Sequence, residues 1–510
     1  MSNLNKLIII LLLFLTSLTI KGEVGNPTPF YIHSRLQSAG KPFELSPERN
    51  RYAQLLALSE YGTFDLPFEV AKIVTPDLGY IDGRYVSIYP PGFTLLALPF
   101  YLIGKQFNLA QLATYFLPSL FAIISIIFIL NIAKSIGLSQ NTAILAGFIF
   151  IFGTNSWAYT TSLSQHLITS FLLLISIRLL LFSSNFWYSG LIWATLAFAA
   201  CVDFPNVVIF LPVLLATAIH YLFVQKKLTS LVFNMKLSFF YSSIVMLPIL
   251  FAWGYYNFQV FHKPIAIGLQ TVHISSFDDN NQPIYKRSGN IAQLDRLIQP
   301  GRLMNGLSVL LFSKDRGLII FSPVMFMSLW GIKQLVKKNR FIAMTLLWSI
   351  VLTVLLYAMW VDPWGGWAFG PRYLIPAFAL FSIFLAAAIE KYRKNWIFMI
   401  TFIILAVYSF LISGLGAVTS NAIPPYREAV GIGSYYNFLR NYEYLIQGVS
   451  GSFIYNTFLR GFISLPLFYL GLMSVVLCIF FLLLWRVKKS ESIFFFEKNI
   501  GWEKIHLQKN

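Results

Sequence analysis

Apolar runs of membrane-spanning length recur through almost the whole chain, from Leu7 to Trp485. A helix needs about 20 apolar residues to cross a bilayer core, and a chain of 510 residues that is 57% hydrophobic has more apolar side chains than one soluble core can bury. The sequence predicts an all-α polytopic membrane protein with about twelve transmembrane helices. The predicted spans are 5–21, 112–133, 141–157, 164–183, 187–203, 206–224, 237–254, 318–333, 341–360, 373–389, 396–415 and 464–485.

Clusters of Lys and Arg at the ends of these runs predict the topology. Basic residues in short loops stay in the cytoplasm, and the clusters at 226–227, 333–340, 391–394 and 486–489 share one side only if the short apolar stretch 91–106 does not cross. We therefore expect a re-entrant or interfacial helix at 91–106 and both termini in the cytoplasm. The net charge of +18 is explained by these clusters, so no nucleic-acid partner is expected.

With this topology, the segments rich in charged and aromatic residues meet outside the cell. We expect a membrane domain, 1–485, whose first outer loop, 22–111, carries interfacial helices and whose outer loops 255–317 and 416–463 complete a cap. Residues 486–510 are expected to form a cytoplasmic tail. The protein is expected in the cytoplasmic membrane of a prokaryote, with its active face outside.

The first outer loop brings carboxylates and arginines into a turn-rich segment. Glu48, Arg51 and Arg84 lie there together with Asp77 and Asp82. A carboxylate can take a proton from a hydroxyl group, and a cation can hold a departing phosphate. These residues could therefore supply both the base and the phosphate-binding cation of a group transfer. The alternative is that they are solvated loop charges, with Arg51 paired to a lipid headgroup.

The order of these features resembles the GT-C class of membrane glycosyltransferases, which includes the protein O-mannosyltransferases and the aminoarabinose transferases. More closely, the chain is similar to prokaryotic phospholipid-carrier-dependent glycosyltransferases, over residues 45–380. The motifs that carry the similarity are Glu48-x-x-Arg51-Tyr52, Thr75-Pro76-Asp77, Asp82-Gly83-x-Tyr85, Ser164-Gln165-His166, Tyr256-Asn257 followed by Lys263-Pro264 and Gly268, Asp315-Arg316-Gly317 with Ser322-Pro323, and Trp364-Gly365-Gly366-Trp367-x-Phe369-Gly370-Pro371-Arg372-Tyr373.

The resemblance implies a polyprenyl-phosphate sugar donor that binds from the membrane, transfer on the outer face and inversion at the anomeric carbon. The base of that class is usually an Asp of the first outer loop, and the candidates in this chain are Glu48, Asp77 and Asp82. Tyr89 stands where relatives often have Lys. Phosphate binding is therefore expected from other residues, namely Arg51, Arg84 or Arg372.

The turn 360–373 is a candidate sugar site. Trp364, Trp367 and Tyr373 can stack on a sugar, while Arg372 can meet a phosphate as a planar fork. The alternative is an aromatic belt at the membrane interface.

Three further residues are candidates, each with a structural alternative. His166 could bind phosphate or act as a general acid, or it could simply be a hydrogen-bonded residue at a helix start. Asp203 could orient an Arg or an acceptor hydroxyl, or it could cap the next helix. Arg316 could hold the lipid phosphate, or it could anchor to headgroups.

The sequence as a whole favours an enzyme that transfers sugar from a lipid-linked donor within the membrane. The alternatives are a non-catalytic flippase or carrier for a lipid-linked saccharide and a structural subunit of an envelope-assembly complex. A flippase needs a polar path through the bilayer, and charges are nearly absent from the spans. No zinc-ligand spacing occurs, so no metal ligands are assigned and no cofactor is certain, with a divalent ion as an optional partner.

Overall fold

Long apolar helices form the body of the protein. A computed structural model describes residues 3–34, 39–182, 185–226, 231–285, 297–425, 428 and 437–506. Parts of the predicted outer loops, 286–296 and 429–436, and the end of the tail, 507–510, lie outside the described residues. In lipid every backbone polar group must be satisfied within the segment, so apolar runs of this length become helices.

Among the described residues, six helices are long and apolar enough to cross a membrane, which makes the chain an integral membrane protein. They are Ala110–Ser135, Ser238–Phe261, Arg340–Ala358, Arg372–Tyr392, Trp396–Val418 and Leu465–Lys489. Shorter apolar helices occupy five of the other predicted spans. They are Asn3–Ser17, Gln140–Phe152, His166–Leu180, Phe186–Val202 and Asn206–Tyr221. The total of about twelve spans stays a prediction.

The regular elements are numbered in chain order, separately for helices and strands. The α-helices are α1 (Asn3–Ser17), α2 (Pro29–Ser34), α3 (Ser46–Glu60), α4 (Phe68–Ala71), α5 (Gly92–Gln106), α6 (Ala110–Ser135), α7 (Gln140–Phe152), α8 (Ser156–Thr160), α9 (His166–Leu180), α10 (Phe186–Val202), α11 (Asn206–Tyr221), α12 (Ser238–Ser242), α13 (Leu247–Phe261), α14 (Leu303–Phe312), α15 (Leu318–Phe321), α16 (Ile332–Lys338), α17 (Arg340–Ala358), α18 (Ile375–Tyr392), α19 (Trp396–Val418), α20 (Asn437–Ile446) and α21 (Leu465–His506). The strands are β1 (Leu78–Ile81), β2 (Arg84–Ser87), β3 (Leu222–Lys226), β4 (Leu231–Met235), β5 (Val272–Phe277) and β6 (Pro283–Tyr285).

The expected span 318–333 is not one continuous helix. It consists of α15, a 3-10 segment at Pro323–Gly331 and the start of α16. Pro323 offers no N–H to the preceding turn and disfavours helical backbone at Ser322, which adopts φ −150° and ψ 49°. The 3-10 segment packs against α18, and Gly331 lies against the backbone of Phe384, where a β-carbon would overlap the carbonyl oxygen.

The stretch 91–106 forms α5, which packs against α6 as a helical hairpin. Asn108 turns the chain with φ 57°. Gly92 lies against the backbone of Cys201 at the end of α10, so that a β-carbon on Gly92 would overlap it. The glycine after Pro90-Pro91 therefore allows α5 to begin in contact with α10.

A four-stranded antiparallel sheet, in the order β2-β1-β5-β6, joins two of the loops that are predicted to be outer. The prediction of an all-α fold does not include it. The hairpin β1–β2 turns at Asp82-Gly83, where both residues have positive φ, as a two-residue hairpin requires. The pairing of β1 with β5, with Leu78 opposite Ile274, connects segments far apart in sequence, which local patterns do not reveal.

Candidate active site

A cavity of about 1000 Å³ lies where the loop 22–111, the turn 361–373 and the segment after α19 meet. Four sequence-predicted site residues line it, and they are Asp77, Trp367, Arg372 and Tyr373. Carboxylates of three further residues also line it, and they are Glu44, Asp362 and Glu428. The cavity thus combines acids, aromatic rings and two arginines, Arg49 and Arg372, in one space.

Arg49 fixes the loop that carries Asp77. Its Nε donates to the carbonyl of Ile73 at 2.7 Å, and its Nη2 donates to the carbonyl of Thr75 at 2.7 Å. A guanidinium that bonds several carbonyls holds them in one planar geometry. Asn50 adds a bond from Nδ2 to the carbonyl of Asp77 itself, at 2.9 Å. Helix α3 therefore determines where the carboxylate of Asp77 lies.

The carboxylate of Asp77 has one occupied oxygen and one without a bond. Oδ2 accepts from Oγ of Ser46 at 2.5 Å and from the hydroxyl of Tyr89 at 3.4 Å. No hydrogen bond to Oδ1 occurs among the described residues. Because the residue lines the cavity and is half-buried, this oxygen can accept a proton or a hydrogen bond from a bound molecule.

Arg372 lies at the far end of the turn 361–373 and contributes a guanidinium to the cavity. Its Nε is buried and has no hydrogen-bond partner in the described part of the chain. A β-carbon on Gly365 would lie 2.9 Å from this Nε, and Gly365 has φ +72°, so only glycine fits without strain beside Arg372. Gly366 is held by a 2.6 Å bond from its N–H to Asp362 Oδ2.

Arg51 lies behind Tyr89 and does not itself line the cavity. Its guanidinium carbon lies 4.8 Å from the centroid of the Tyr89 ring. Nη1 donates to the carbonyl of Leu163 and Nη2 to Oε1 of Gln165, both at 2.6 Å. Burial lowers the pKa of Arg51 to about 10, so it remains protonated at neutral pH.

Asp203 reaches Arg51 through Gln165. Nε2 of Gln165 donates to Oδ2 of Asp203 at 2.8 Å, while its Oε1 accepts from Arg51. Burial raises the pKa of Asp203, and the hydrogen bond from Gln165 opposes that rise. Asp203 is therefore placed to orient an arginine, one of the roles that the sequence suggests. It is the C-cap residue after α10, whereas the N-cap of α11 is Pro205, so Asp203 does not cap the next helix.

His166 and Tyr373 extend the group of rings next to Arg372. The ring of His166 meets that of Tyr373 edge-on at 5.8 Å, and Tyr373 stacks on Tyr357 at 4.2 Å with parallel planes. Nε2 of His166 is buried without a hydrogen-bond partner among the described residues. His166 also begins α9, in agreement with the structural alternative.

Trp367 is half-exposed at the rim of the cavity, where its Nε1 donates to Oε2 of Glu428 at 2.8 Å. Trp364 is not among the residues that line the cavity, and its carbonyl accepts a 2.8 Å bond from Nε of Arg316. Of the three aromatic candidates in this turn, Trp367 and Tyr373 can therefore contact a molecule in the cavity, and Trp364 cannot.

Arg316 is buried and binds backbone carbonyls on both sides of the cavity. Its Nη2 donates to Gly366 at 2.9 Å and to Ile423 at 3.0 Å, in addition to the bond to Trp364. These three carbonyls occupy N–H donors of Arg316 that would otherwise be available to a phosphate. Arg316 thus holds the turn 361–373 against the segment after α19, and the structure does not bring it into the cavity.

Glu48 is buried behind the cavity wall rather than in it. Its Oε2 lies 3.4 Å from the hydroxyl of Tyr115, and Oε1 has no partner within the described residues. Burial raises the pKa of Glu48, and the charge of Lys21 opposes the rise. Lys21 itself forms a buried ion pair with Glu44. Glu48 consequently has no contact with a molecule in the cavity.

Asp82 and Arg84 lie on the hairpin β1–β2, away from the cavity. Asp82 is exposed at the turn. Arg84 pairs with Asp65 at 3.1 Å and donates to the carbonyls of Gln259 and Val260 at 3.1 and 3.2 Å. These bonds fasten the hairpin β1–β2 to the end of α13, so the structure does not bring Asp82 and Arg84 together with Asp77.

Several residues around the site have no predicted role in the sequence. Tyr89 stands out there only because relatives have Lys, yet it contacts both Asp77 and Arg51. Gln165 lies next to the candidate His166 but has no role of its own in the sequence analysis, and Arg49 is one of several charges on α3. Among the described residues, no group of three or more His, Cys, Asp or Glu side chains gathers as metal ligands would.

Comparisons with known proteins found similar structures but no similar sequence. No family model matches the chain, and no curated protein matches it. Its structure is similar to ArnT from Cupriavidus metallidurans in the apo state, with a TM-score of 0.48 and 12% identity over 94% of this chain and 75% of that chain. It is also similar to the apo oligosaccharyltransferase of Archaeoglobus fulgidus, with a TM-score of 0.45 and 12% identity over 86% and 59%.

A third similar structure is ArnT of the same organism bound to undecaprenyl phosphate, with a TM-score of 0.48 and 11% identity over 94% of this chain and 76% of that chain. ArnT and the archaeal oligosaccharyltransferase are GT-C glycosyltransferases, the class that the motifs of this sequence resemble. All three TM-scores lie below 0.5. A function for this chain therefore has to follow from its own residues.

Proposed function

We propose that the protein is a glycosyltransferase that moves a sugar from a polyprenyl-phosphate-linked donor to an extracytoplasmic or lipid acceptor. The observation that carries the proposal is that Asp77 and Arg372 line the same cavity. Transfer from a phosphate ester needs a base for the acceptor and a cation for the leaving group, and these two residues supply them.

Asp77 is the base of the proposed reaction. A carboxylate oxygen of Asp77 takes the proton of the acceptor hydroxyl as the acceptor oxygen bonds to the anomeric carbon. The bond between that carbon and the phosphate oxygen breaks, and its electron pair leaves with the phosphate. Because acceptor and leaving group occupy opposite faces of the sugar, the configuration inverts. A positioned base of this kind is worth about 10²- to 10⁴-fold in rate.

Arg372 is the proposed partner of the phosphate, because it lines the cavity and its Nε has no hydrogen-bond partner in the described part of the protein. A guanidinium forms strong charge-assisted hydrogen bonds to phosphate. Arg51 supports the same charge from behind Tyr89. Trp367 and Tyr373 are the proposed sugar contacts, since both line the cavity.

The proposed donor is lipid-linked because the phosphate-binding arginine lies at the end of a membrane-spanning segment. A carrier lipid can approach laterally from the bilayer, with its phosphate at the level of Arg372, which begins a membrane-spanning segment. We propose that the cavity faces outward, that both termini are cytoplasmic and that the chain has about twelve spans, with α5 as a re-entrant helix. The basic clusters at the opposite ends of the apolar runs support this orientation.

Transfer of radiolabelled sugar from a polyprenyl-phosphate donor by the purified protein in liposomes tests the proposal. Asp77→Asn should reduce transfer by about 100-fold or more, while Asp82→Asn, on the same loop outside the cavity, should retain it. Movement of the labelled lipid across the bilayer without transfer would instead support a flippase. Equal transfer by both variants would remove Asp77 from the mechanism.

A further inference from the structure

A second cavity lies at the surface between the apolar helices α11 and α17 and measures about 620 Å³. Its floor consists of small or buried side chains, with Ala216 and Pro212 from α11 and Thr345 from α17. Its walls are large apolar side chains that are about half exposed, and they include Leu215, Ile219 and Trp348. The two helices thus form an apolar groove open to lipid.

One end of the groove carries a single positive charge. Arg340 lines the groove, begins α17 and is exposed. It forms no ion pair with any described residue, whereas the nearby Lys338 is paired with Glu390 at 3.0 Å. The side-chain oxygen of Asn339 accepts from the N–H of Ile342 at 3.0 Å and caps the start of α17. The charge of Arg340 is therefore open to a ligand at the membrane surface.

The groove has the depth of one membrane leaflet. Its lining residues on α17 run from Arg340 to Leu352, and twelve residues of α-helix at 1.5 Å each extend about 18 Å. Half of a hydrocarbon core is about 15 Å. A phosphate bound at Arg340 would thus place an acyl chain along the apolar walls as far as Leu352.

We propose that this groove is a binding site for an anionic phospholipid of the phosphatidylglycerol type. The phosphodiester would bind Arg340, and one acyl chain would lie between α11 and α17. Basic residues at the ends of transmembrane helices attract anionic headgroups, and the apolar walls match a hydrocarbon chain. This site is separate from the cavity of Asp77, because the two share no lining residue.

The same two helices lead to the candidate active site at their other ends. Asp203 precedes α11, and Tyr357, near the end of α17, stacks on Tyr373. A lipid that fills the groove would hold α11 and α17 at a fixed spacing. We therefore expect bound lipid to raise the thermal stability of the full-length protein in detergent.

Quenching of Trp348 by brominated lipid tests the site directly, since bromine quenches tryptophan only at close contact. In nanodiscs, phosphatidylglycerol with brominated acyl chains should quench the Trp348 component, defined as the difference between wild type and Trp348→Phe. Brominated phosphatidylcholine should need about fivefold more lipid for equal quenching, because it lacks the net charge that Arg340 attracts.

Two variants separate the charge from the groove. Arg340→Gln should abolish the preference for phosphatidylglycerol, while Lys337→Gln, exposed on α16 and outside the groove, should retain it. Ala216→Leu should fill the floor and reduce quenching by either lipid. Equal quenching by both lipids in the wild type, or protection of Trp348 by a bound protein instead of lipid, would overturn the proposal.

Discussion

The hydroxyl of Tyr89 lies 3.4 Å from Oδ2 of Asp77, and the ring of the same tyrosine faces the guanidinium of Arg51. Burial raises the pKa of Tyr89 well above its ordinary value, so the phenol is a neutral donor at pH 7. Tyr89 therefore connects the proposed base to the arginine behind it. Its hydrogen bond helps to hold one oxygen of Asp77 and leaves the other for the acceptor.

Removal of this hydroxyl tests the connection. Tyr89→Phe retains the ring next to Arg51 but loses the bond to Asp77. We expect kcat for sugar transfer to fall about tenfold, the value of one hydrogen bond of about 1.4 kcal/mol. KM for the donor should change little. Tyr80→Phe, on strand β1 outside the cavity, is the matched control, and equal losses in both variants would contradict the assignment.

The two arginines Arg372 and Arg84 should respond differently to the same substitution. Arg372→Gln removes the guanidinium charge of Arg372 from the cavity, where Arg49 remains, and should lower kcat/KM by about 100-fold or more. Arg84→Gln breaks a partly exposed ion pair with Asp65, worth at most about 1 kcal/mol. Transfer by that variant should remain near the wild-type rate, measured with the same labelled donor. An inactive but folded Arg84→Gln protein would place the phosphate site elsewhere.

Glu48 makes stability depend on pH. Its pKa is raised by burial above the ordinary value of 4.5, so the folded state binds its proton more tightly than the unfolded state does. Its contribution to stability is full below pH 4.5 and is lost as the pH rises through the folded pKa. Glu48→Gln cannot ionise. The melting temperature in detergent should therefore fall less between pH 5 and pH 8 in this variant than in the wild type.

Glu44→Gln provides the contrast to Glu48→Gln. Glu44 pairs with Lys21 and also accepts from Ser420 and from the backbone of Asn421. Loss of one partner from a buried ion pair costs about 3–5 kcal/mol. The variant should melt at a lower temperature at both pH values. If Glu48→Gln lost stability in the same uniform way, Glu48 would be charged in the folded protein.

The proposed orientation is tested by labelling of single cysteines in a background without Cys201 and Cys478. Asp82→Cys and Lys337→Cys both lie at exposed positions. A membrane-impermeant maleimide should label Asp82→Cys in intact cells and Lys337→Cys only after permeabilisation, because positive clusters remain inside. Labelling of both from the same side would reject the predicted topology.

The candidate site could be found in part from the sequence. Asp77, Arg372 and Trp367 lie in motifs whose residue types fit the chemistry, and the structure brings them into one cavity. Glu48 is also a carboxylate and Arg84 also a guanidinium. However, Glu48 is buried, and Arg84 is hydrogen-bonded to backbone carbonyls. Sequence spacing does not distinguish a carboxylate that faces a cavity from one that faces a core.

The sequence by itself determined that this chain is an integral membrane protein of apolar helices, since composition and the length of apolar runs act locally and lipid admits little else. The tertiary structure alone decided which charges meet. Arg49 and Arg316 hold backbone carbonyls of separate loops, and β1 pairs with β5, a strand far away in the sequence. Such contacts depend on where distant segments pack, because a side chain's partners are set by three-dimensional proximity.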